Sequence, residues 1–197
     1  MRSFINALKR GVFPHEMSFF LELRWRNIVL SPRKLAARLS LSATSCVLEV
    51  GAGSGFYSVE IAERVSEGQV ELLDLQIEML RKTRHKIESI GLSSNIGYAV
   101  ADAGKLPFKE NVFDVIFLVT VLGEIVDQKA FLREARRILK PQGILSISEH
   151  LPDPDFSALG KVKSLVEKEG FEFFERYGTN WNYTANFRRS EAKHVLS

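Results

Sequence analysis

The sequence predicts an α/β fold built on a doubly wound parallel sheet. Two observations carry this prediction: short apolar runs alternate with segments of helical periodicity from Cys46 to Val166, and a glycine-rich segment directly follows the first of those runs. Strands separated by helix-length segments form parallel sheets with helices on both faces. A chain of 197 residues, 45% of them hydrophobic, can bury a substantial core as about one domain.

Five apolar runs predict the parallel strands, at residues 46–50, 70–73, 96–100, 115–119 and 144–148. The fourth run is nearly all apolar, as expected of a strand that is buried on both faces. Between and after these runs, apolar residues recur at the spacing of amphipathic helices, over residues 59–65, 77–90, 131–139 and 159–166. Two more helices are predicted before the first strand. One covers residues 14–30, and the other starts at Ser31-Pro32, a typical helix start, and ends near Leu39.

The end of the chain departs from this alternation. Residues 171–177 and 181–187 are both strand-like, and only three residues separate them. Three residues cannot hold a crossover helix, so the two runs should form an antiparallel hairpin. The predicted fold is therefore a Rossmann-like, seven-stranded sheet of five parallel strands plus a C-terminal antiparallel hairpin.

Charge is concentrated at the start of the chain. Residues 1–40 carry a net charge of +6, against −3 for the remainder of a chain whose overall formal charge is +3, and they also hold five aromatic side chains. A basic, aromatic segment can bind an anionic partner, such as a lipid surface, a nucleic acid or an acidic substrate. The alternative, which we favour, is a solvated helix pair packed on the body.

Several classes of protein are disfavoured by the composition. The longest apolar run, residues 115–122, is too short to span a membrane, and the N-terminal residues lack a signal-peptide pattern. Cys46 is the single cysteine, which argues against a disulfide framework, and His15-Glu16 lacks the second histidine of a zinc-protease motif. We therefore expect a cytoplasmic protein without a metal site.

The strongest local signal is residues 49–55, a glycine-rich segment that ends the first strand. In doubly wound folds ligands bind beyond the carboxyl ends of the strands, and glycines let the backbone approach them closely. Phe56 stands where the dinucleotide fingerprint requires its third glycine, and no Lys-Ser/Thr pair follows as in a phosphate loop. Glu49 would repel a phosphate but suits a cationic or amine-bearing ligand.

Two aspartates follow the second and third strands. Asp74 can accept hydrogen bonds from both hydroxyls of a ribose, although it could instead cap the helix that begins near Gln76. Asp102 can accept from the exocyclic amine of adenine, although it could be an ordinary turn residue. A ribose, an amine-bearing base and a positive group without a phosphate requirement are together the features of S-adenosylmethionine.

Five segments, in order, resemble the class I S-adenosylmethionine-dependent methyltransferases, and within them the small ubiquinone/menaquinone-biosynthesis-like group. They are residues 47–57, 73–80, 101–108, 111–116 and 136–145. The resemblance implies a methyltransferase domain over 41–197, behind a helical cap on the substrate side over 1–40. It also implies S-adenosylmethionine-binding roles for Glu49, Gly51, Ala52, Gly53, Asp74, Leu75, Asp102, Ala103 and Thr120.

Methyl transfer from a sulfonium is an in-line displacement, so alignment and exclusion of water supply much of the catalysis. A general base is needed only when the acceptor cannot lose its proton unaided. The candidate catalytic residues are Glu149 and His150, at the end of the fifth strand, and Tyr57 on the acceptor side. The alternatives are a surface pair in the exit loop and a tyrosine used in helix packing. Gly123 stands where related sequences often have a histidine.

The expected reaction is methyl transfer to a small molecule of lipophilic or anionic character. Residues 1–40 are the candidate site of a peripheral membrane contact. Two alternatives stay open: a nucleic-acid or protein methyltransferase that docks through the basic segment, and a non-catalytic S-adenosylmethionine-binding module. Nucleic acid is the less favoured substrate, because the sequence shows no recognition domain and no Asn-Pro-Pro-Tyr-type motif after the fourth strand.

Overall fold

A computed structural model describes residues 30–92 and 94–190. Seven strands form one sheet in the order β3-β2-β1-β4-β5-β7-β6. They are β1 (Cys46–Val50), β2 (Gln69–Asp74), β3 (Ile96–Val100), β4 (Phe113–Val119), β5 (Leu139–His150), β6 (Phe171–Gly178) and β7 (Asn182–Arg189). The first five strands pair in parallel, and β7 is antiparallel to both β5 and β6. The predicted fold, with its C-terminal hairpin, is confirmed.

Helices cover both faces of the sheet. They are α1 (Pro32–Arg38), α2 (Ser58–Arg64), α3 (Ile77–Ser89), α4 (Gln128–Ile138) and α5 (Leu159–Lys168), with a short 3-10 helix at Leu122–Glu124. Helices α1 to α3 pack on one face and α4 and α5 on the other. Successive side chains of β1 and β4 alternate between these two cores, as the period of a strand requires.

The start of the described chain follows the predicted capping pattern. The side chain of Ser31 accepts a hydrogen bond from the backbone N–H of Lys34 (3.3 Å), and Pro32 occupies the first turn of α1. The predicted helix over 14–30 lies almost wholly outside the described residues, as does most of the predicted cap over 1–40. Among the residues that the structure describes, no helix has the length and apolar character needed to cross a bilayer.

The largest departure from the predicted elements is the length of β5. It begins at Leu139 rather than at Ile144, so residues 141–143 lie within the strand instead of forming a separate turn. Gln142 adopts a positive φ of 65°, and the pairing with β4 changes register between Phe113 and Val115. A local irregularity of this kind looks like a turn in the sequence but leaves the strand continuous.

Candidate functional site

A cleft of about 1090 Å³, part of it open to solvent, lies at the carboxyl ends of β1 to β4. The structure brings to its walls all nine residues that were predicted to bind the cofactor, namely Glu49, Gly51, Ala52, Gly53, Asp74, Leu75, Asp102, Ala103 and Thr120. They come from the ends of four strands and the loops that follow them, which the parallel sheet places along one edge.

The glycine-rich segment is held between its neighbours on both sides. The backbone N–H groups of Gly51 and Ala52 both donate to the carbonyl oxygen of Leu73, at 2.8 and 3.1 Å. Gly51 has a φ of 74°, and a Cβ atom there would lie 2.5 Å from a methyl carbon of Val121. Both the backbone conformation and this close approach therefore require glycine at position 51.

Asp74 connects the end of β2 to the glycine-rich segment. Its carboxylate accepts from the backbone N–H of Gly53 (2.9 Å) and from that of Gln76 (2.8 Å). Burial raises the pKa of Asp74, and the backbone N–H donors of Gln76, Gly53 and Leu75 oppose that rise. The alternative interpretation, Asp74 as the cap of α3, is wrong, because Gln76 is the N-cap residue of that helix, while Asp74 lines the cleft.

Glu49 is a buried carboxylic acid on the wall of the cleft. Only 3% of its surface is exposed, and its Oε2 accepts a hydrogen bond from the hydroxyl of Ser58 (2.6 Å), the first residue of α2. The side chain therefore has a fixed direction. Since a buried carboxylate favours a cationic neighbour, this part of the cleft suits an ammonium group.

The wall formed by Leu75 and Asp102 is exposed and partly apolar. Asp102 accepts from the backbone N–H of Gly104 (2.7 Å) and remains exposed, while the side chain of Leu75 is 51% exposed. An exposed apolar side chain and a carboxylate on the same cleft wall suit a flat base that bears an amine.

Thr120 marks the end of β4 with an uncommon backbone conformation. Its φ is 54°, and its backbone N–H donates to the carbonyl oxygen of Ser148 on β5 (2.9 Å). A left-handed conformation at a β-branched residue is strained and persists only where its surroundings hold it in place. The turn after β4 is thus fixed against β5 where it enters the cleft.

The three catalytic candidates are placed differently. Tyr57 lines the cleft, is 3% exposed, and donates from its hydroxyl to the carbonyl oxygen of Leu30 (3.3 Å). Glu149 and His150 lie outside the lining residues, at 1% and 3% exposure, so they are not a surface pair. As consecutive residues of β5, they point to opposite faces of the sheet and cannot act from the same side.

Burial shifts the pKa of Glu149 strongly. Burial raises its pKa to about 8, the backbone N–H of Ser157 opposes the rise, and the carboxylates of Asp153, Asp155 and Glu124 add to it. At neutral pH this side chain is therefore mostly protonated.

Sequence reasoning missed the wall that follows β4. Val119, Val121, Ile125 and Val126 line this side of the cleft together with Glu124. The sequence offers one signal for this wall, an apolar run over residues 115–122 that continues past the end of the strand predicted at 115–119. A Cβ atom on Gly123 would lie 2.4 Å from the carbonyl oxygen of Asp155. The missing histidine at position 123 thus reflects close packing at that position.

Residues 41–184 match the family model described as a methyltransferase domain. The ubiquinone/menaquinone biosynthesis C-methyltransferase UbiE of Klebsiella pneumoniae subsp. pneumoniae is 31% identical over 176 residues, which is 83% of this chain and 68% of that protein. The protein of the same name from Idiomarina loihiensis is 33% identical over 144 residues, covering 73% and 55% of the two chains.

Two solved structures share the fold. A SAM-dependent methyltransferase from Aquifex aeolicus superposes with a TM-score of 0.83 at 24% identity, over 90% of this chain and 99% of that chain. The [4+2]-cyclase SpnF superposes with a TM-score of 0.73 at 18% identity, over 81% and 79%. The family match includes every residue that lines the cleft.

Proposed function

Because the chain belongs to the S-adenosylmethionine-dependent methyltransferase family, with S-adenosylmethionine as its cofactor, we propose that it methylates a small, lipophilic acceptor beside β4. The curated relatives are named for C-methylation in ubiquinone and menaquinone biosynthesis. An apolar acceptor with an aromatic or quinol-like ring is therefore the first class to test.

The cleft has the donor and acceptor groups that this cofactor needs. Both oxygens of the Asp74 carboxylate accept backbone N–H groups, and the four lone pairs of a carboxylate leave room for a ribose hydroxyl. Glu49 would receive the amino group, and Asp102 with Ala103 would contact the adenine. When bound, S-adenosylmethionine supplies a methyl group already activated by its sulfonium.

One observation carries the choice of a lipophilic acceptor. Of the eight exposed large hydrophobic side chains among the described residues, two line the cleft, Leu75 and Val126. Val126 follows β4, where it continues an apolar wall formed by Val119, Val121 and Ile125. Exposed apolar side chains at a pocket mark an interaction site.

Charge on the acceptor side argues against an anion. Glu124 lines the cleft there, and the loop that packs against Gly123 carries Asp153 and Asp155. These carboxylates would repel an anionic acceptor. The proposal therefore keeps the lipophilic part of the original expectation and leaves out the anionic part.

Of the three catalytic candidates, Tyr57 is the one that would contact the acceptor, as part of a rigid aromatic wall of the cleft. It meets Phe56 edge to face, with ring centroids 4.9 Å apart, and its hydroxyl is held by Leu30. Its contribution is alignment and exclusion of water rather than proton transfer. Glu149 and His150 remain predictions as catalytic groups, since the described cleft wall contains neither.

The test is methyl transfer from labelled S-adenosylmethionine to a panel of aromatic acceptors, with and without an apolar tail and with and without a carboxylate. The proposal predicts transfer to the neutral, apolar members. Val126→Ser should lower kcat/KM for them about tenfold, the worth of an apolar contact that the bound acceptor would bury. Phe174→Ser and Ile90→Ser are matched controls, because both residues are exposed apolar side chains away from the cleft. Transfer only to anionic acceptors, or equal losses in the controls, would contradict the proposal.

Contact with a membrane through residues 1–40 stays a separate prediction. Within the described part of this segment, Arg33 and Lys34 are exposed on α1. Deletion of residues 1–12 should then weaken binding to vesicles that contain anionic lipid. Unchanged vesicle binding after the deletion would argue against the membrane contact without affecting the proposed reaction.

A further inference from the structure

Two side chains, one on β5 and one on the paired strand β7, form hydrogen bonds to the same residue of the loop that follows β5. Glu149 is paired in register with Tyr183. The Glu149 Oε2 accepts from the backbone N–H of Ser157 (3.4 Å), and the Tyr183 hydroxyl donates to the carbonyl oxygen of Ser157 (2.6 Å). Both backbone polar groups of Ser157 are thus bound by buried side chains, an arrangement we call the Ser157 clamp.

The clamp lies in the loop over residues 151–158, between β5 and α5, and this loop touches the wall of the cleft. A Cβ atom on Gly123 would lie 2.4 Å from the carbonyl oxygen of Asp155 and 2.6 Å from its Cβ. The next residue, Glu124, lines the cleft. A displacement of the loop would therefore change the acceptor-side wall directly.

We propose that Glu149 is a positioning residue, which together with Tyr183 fixes the 151–158 loop through Ser157 and so sets the shape of the acceptor side of the cleft. The inference rests on the proposed function, because the shape of this wall matters only if an acceptor binds there. It gives Glu149 a different role from the proton transfer that its position at the end of β5 suggested.

The surroundings of Glu149 favour its neutral form. It is 1% exposed, and its Oε1 has no hydrogen-bond partner among residues 30–92 and 94–190. The titratable groups that face it are Asp153 and Asp155 from the loop, Glu124 from the 3-10 helix, and Tyr183 from β7, and all of them are acids. Burial raises the pKa of Glu149 to about 8. Ionisation would add a buried negative charge facing three carboxylates, and the loop would move away to let water reach it.

Trp181 offers a direct reporter of the loop. Its carbonyl oxygen accepts from the backbone N–H of Leu151 (2.9 Å), and its side chain is 66% exposed. The chain has two tryptophans, Trp25 and Trp181, so Trp25→Phe leaves Trp181 as the single indole. In that background we expect Trp181 emission to change between pH 6 and 9.5 with a midpoint near 8.

The discriminating variant is Glu149→Gln, which keeps the size and the neutral state of the side chain. It should abolish the fluorescence transition and hold the emission of the neutral form throughout. Glu149→Ala, which removes the acceptor for Ser157, should give the high-pH emission at every pH. The proposal is wrong if the transition persists in Glu149→Gln, or if the wild-type emission shows no transition in this range.

Steady-state kinetics with an acceptor from the panel separates this inference from the proposed function. In wild type the KM for the acceptor should rise several-fold above pH 8, whereas in Glu149→Gln it should stay at its neutral-pH value, with cofactor affinity unchanged in both. Glu172→Gln, an exposed glutamate on β6, is the control and should follow wild type. An acceptor KM that is independent of pH in wild type would overturn the positioning role. Failure of every acceptor, with the fluorescence transition intact, would overturn the proposed function alone.

Discussion

The half of the cleft at the ends of β1 to β3, which we propose binds the cofactor, and the half after β4, which we propose binds the acceptor, are held together by different interactions. In the cofactor half, the carboxylate of Asp74 and the carbonyl oxygen of Leu73 bind backbone N–H groups at 2.8 to 3.1 Å. In the acceptor half, two connecting segments pack against each other through Gly123 and Asp155, above the buried Glu149. Directional hydrogen bonds suit a ligand of fixed chemistry, whereas packed loops can change shape without unfolding the sheet.

The largest predicted effect concerns the acceptor half, where Glu149 makes the free energy of unfolding depend on pH. Its pKa is raised in the folded state to about 8. The contribution of Glu149 to the free energy of unfolding is therefore fully present below the ordinary carboxyl pKa of about 4.3. It is lost progressively as the pH rises through 8. Glu149→Gln carries no such penalty. Its free energy of unfolding should exceed that of wild type by an amount that grows from pH 5 to pH 8, to at most about 5 kcal/mol.

Urea unfolding at several pH values measures this difference. Glu172→Gln should stay within about 0.5 kcal/mol of wild type throughout, because its side chain is exposed. A constant difference between Glu149→Gln and wild type would show that Glu149 is ionised in the folded protein across this range.

Gly51 is the point where the two halves of the cleft touch, so Gly51→Ala should disturb both. The substitution places an L side chain at a φ of 74° and a Cβ 2.5 Å from a methyl group of Val121. We expect a loss of about 2–3 kcal/mol in stability and a large loss of cofactor affinity. Gly91→Ala separates the two causes, because Gly91 has a φ of 75° and no neighbouring atom within 4 Å of a built Cβ.

A double-mutant cycle sharpens that result. Val121→Ala removes the methyl groups that a Cβ at position 51 would meet, so the two substitutions together should cost about 1 kcal/mol less than their sum. Additive costs would mean that the backbone conformation alone requires glycine there, and that the halves are not coupled at this contact.

Gly123→Ala should act on the acceptor half only. Its Cβ would push against the backbone of Asp155, costing about 1–3 kcal/mol in stability and raising the KM for the acceptor several-fold. Affinity for S-adenosylhomocysteine, measured by calorimetry, should not change. Gly160→Ala, at an open position in α5, is the matched control and should be neutral or slightly stabilising. Equal losses of cofactor and acceptor binding would contradict the division into two halves.

The same division separates what the sequence could predict from what it could not. The strands, the hairpin and the cofactor-side residues follow from local patterns, since a strand, its glycine turn and its terminal aspartate lie within a few residues of each other. The contact between Gly123 and Asp155 joins loops that are distant in the sequence, and no periodicity encodes it. The opposite directions of Glu149 and His150 could have been predicted, because side chains alternate along any strand.

The most direct test of the account is thermal unfolding with and without S-adenosylhomocysteine, in wild type and in Asp74→Ala. At 100 times its dissociation constant the ligand should add about 2.7 kcal/mol to the stability of wild type, a rise in Tm of roughly 5–10 °C. Asp74→Ala should lose most of that rise, because Asp74 lines the cleft and binds the backbone of Gly53. An equal rise in both proteins would show that the ligand does not use this cleft, and no rise in wild type at millimolar ligand would contradict cofactor binding itself.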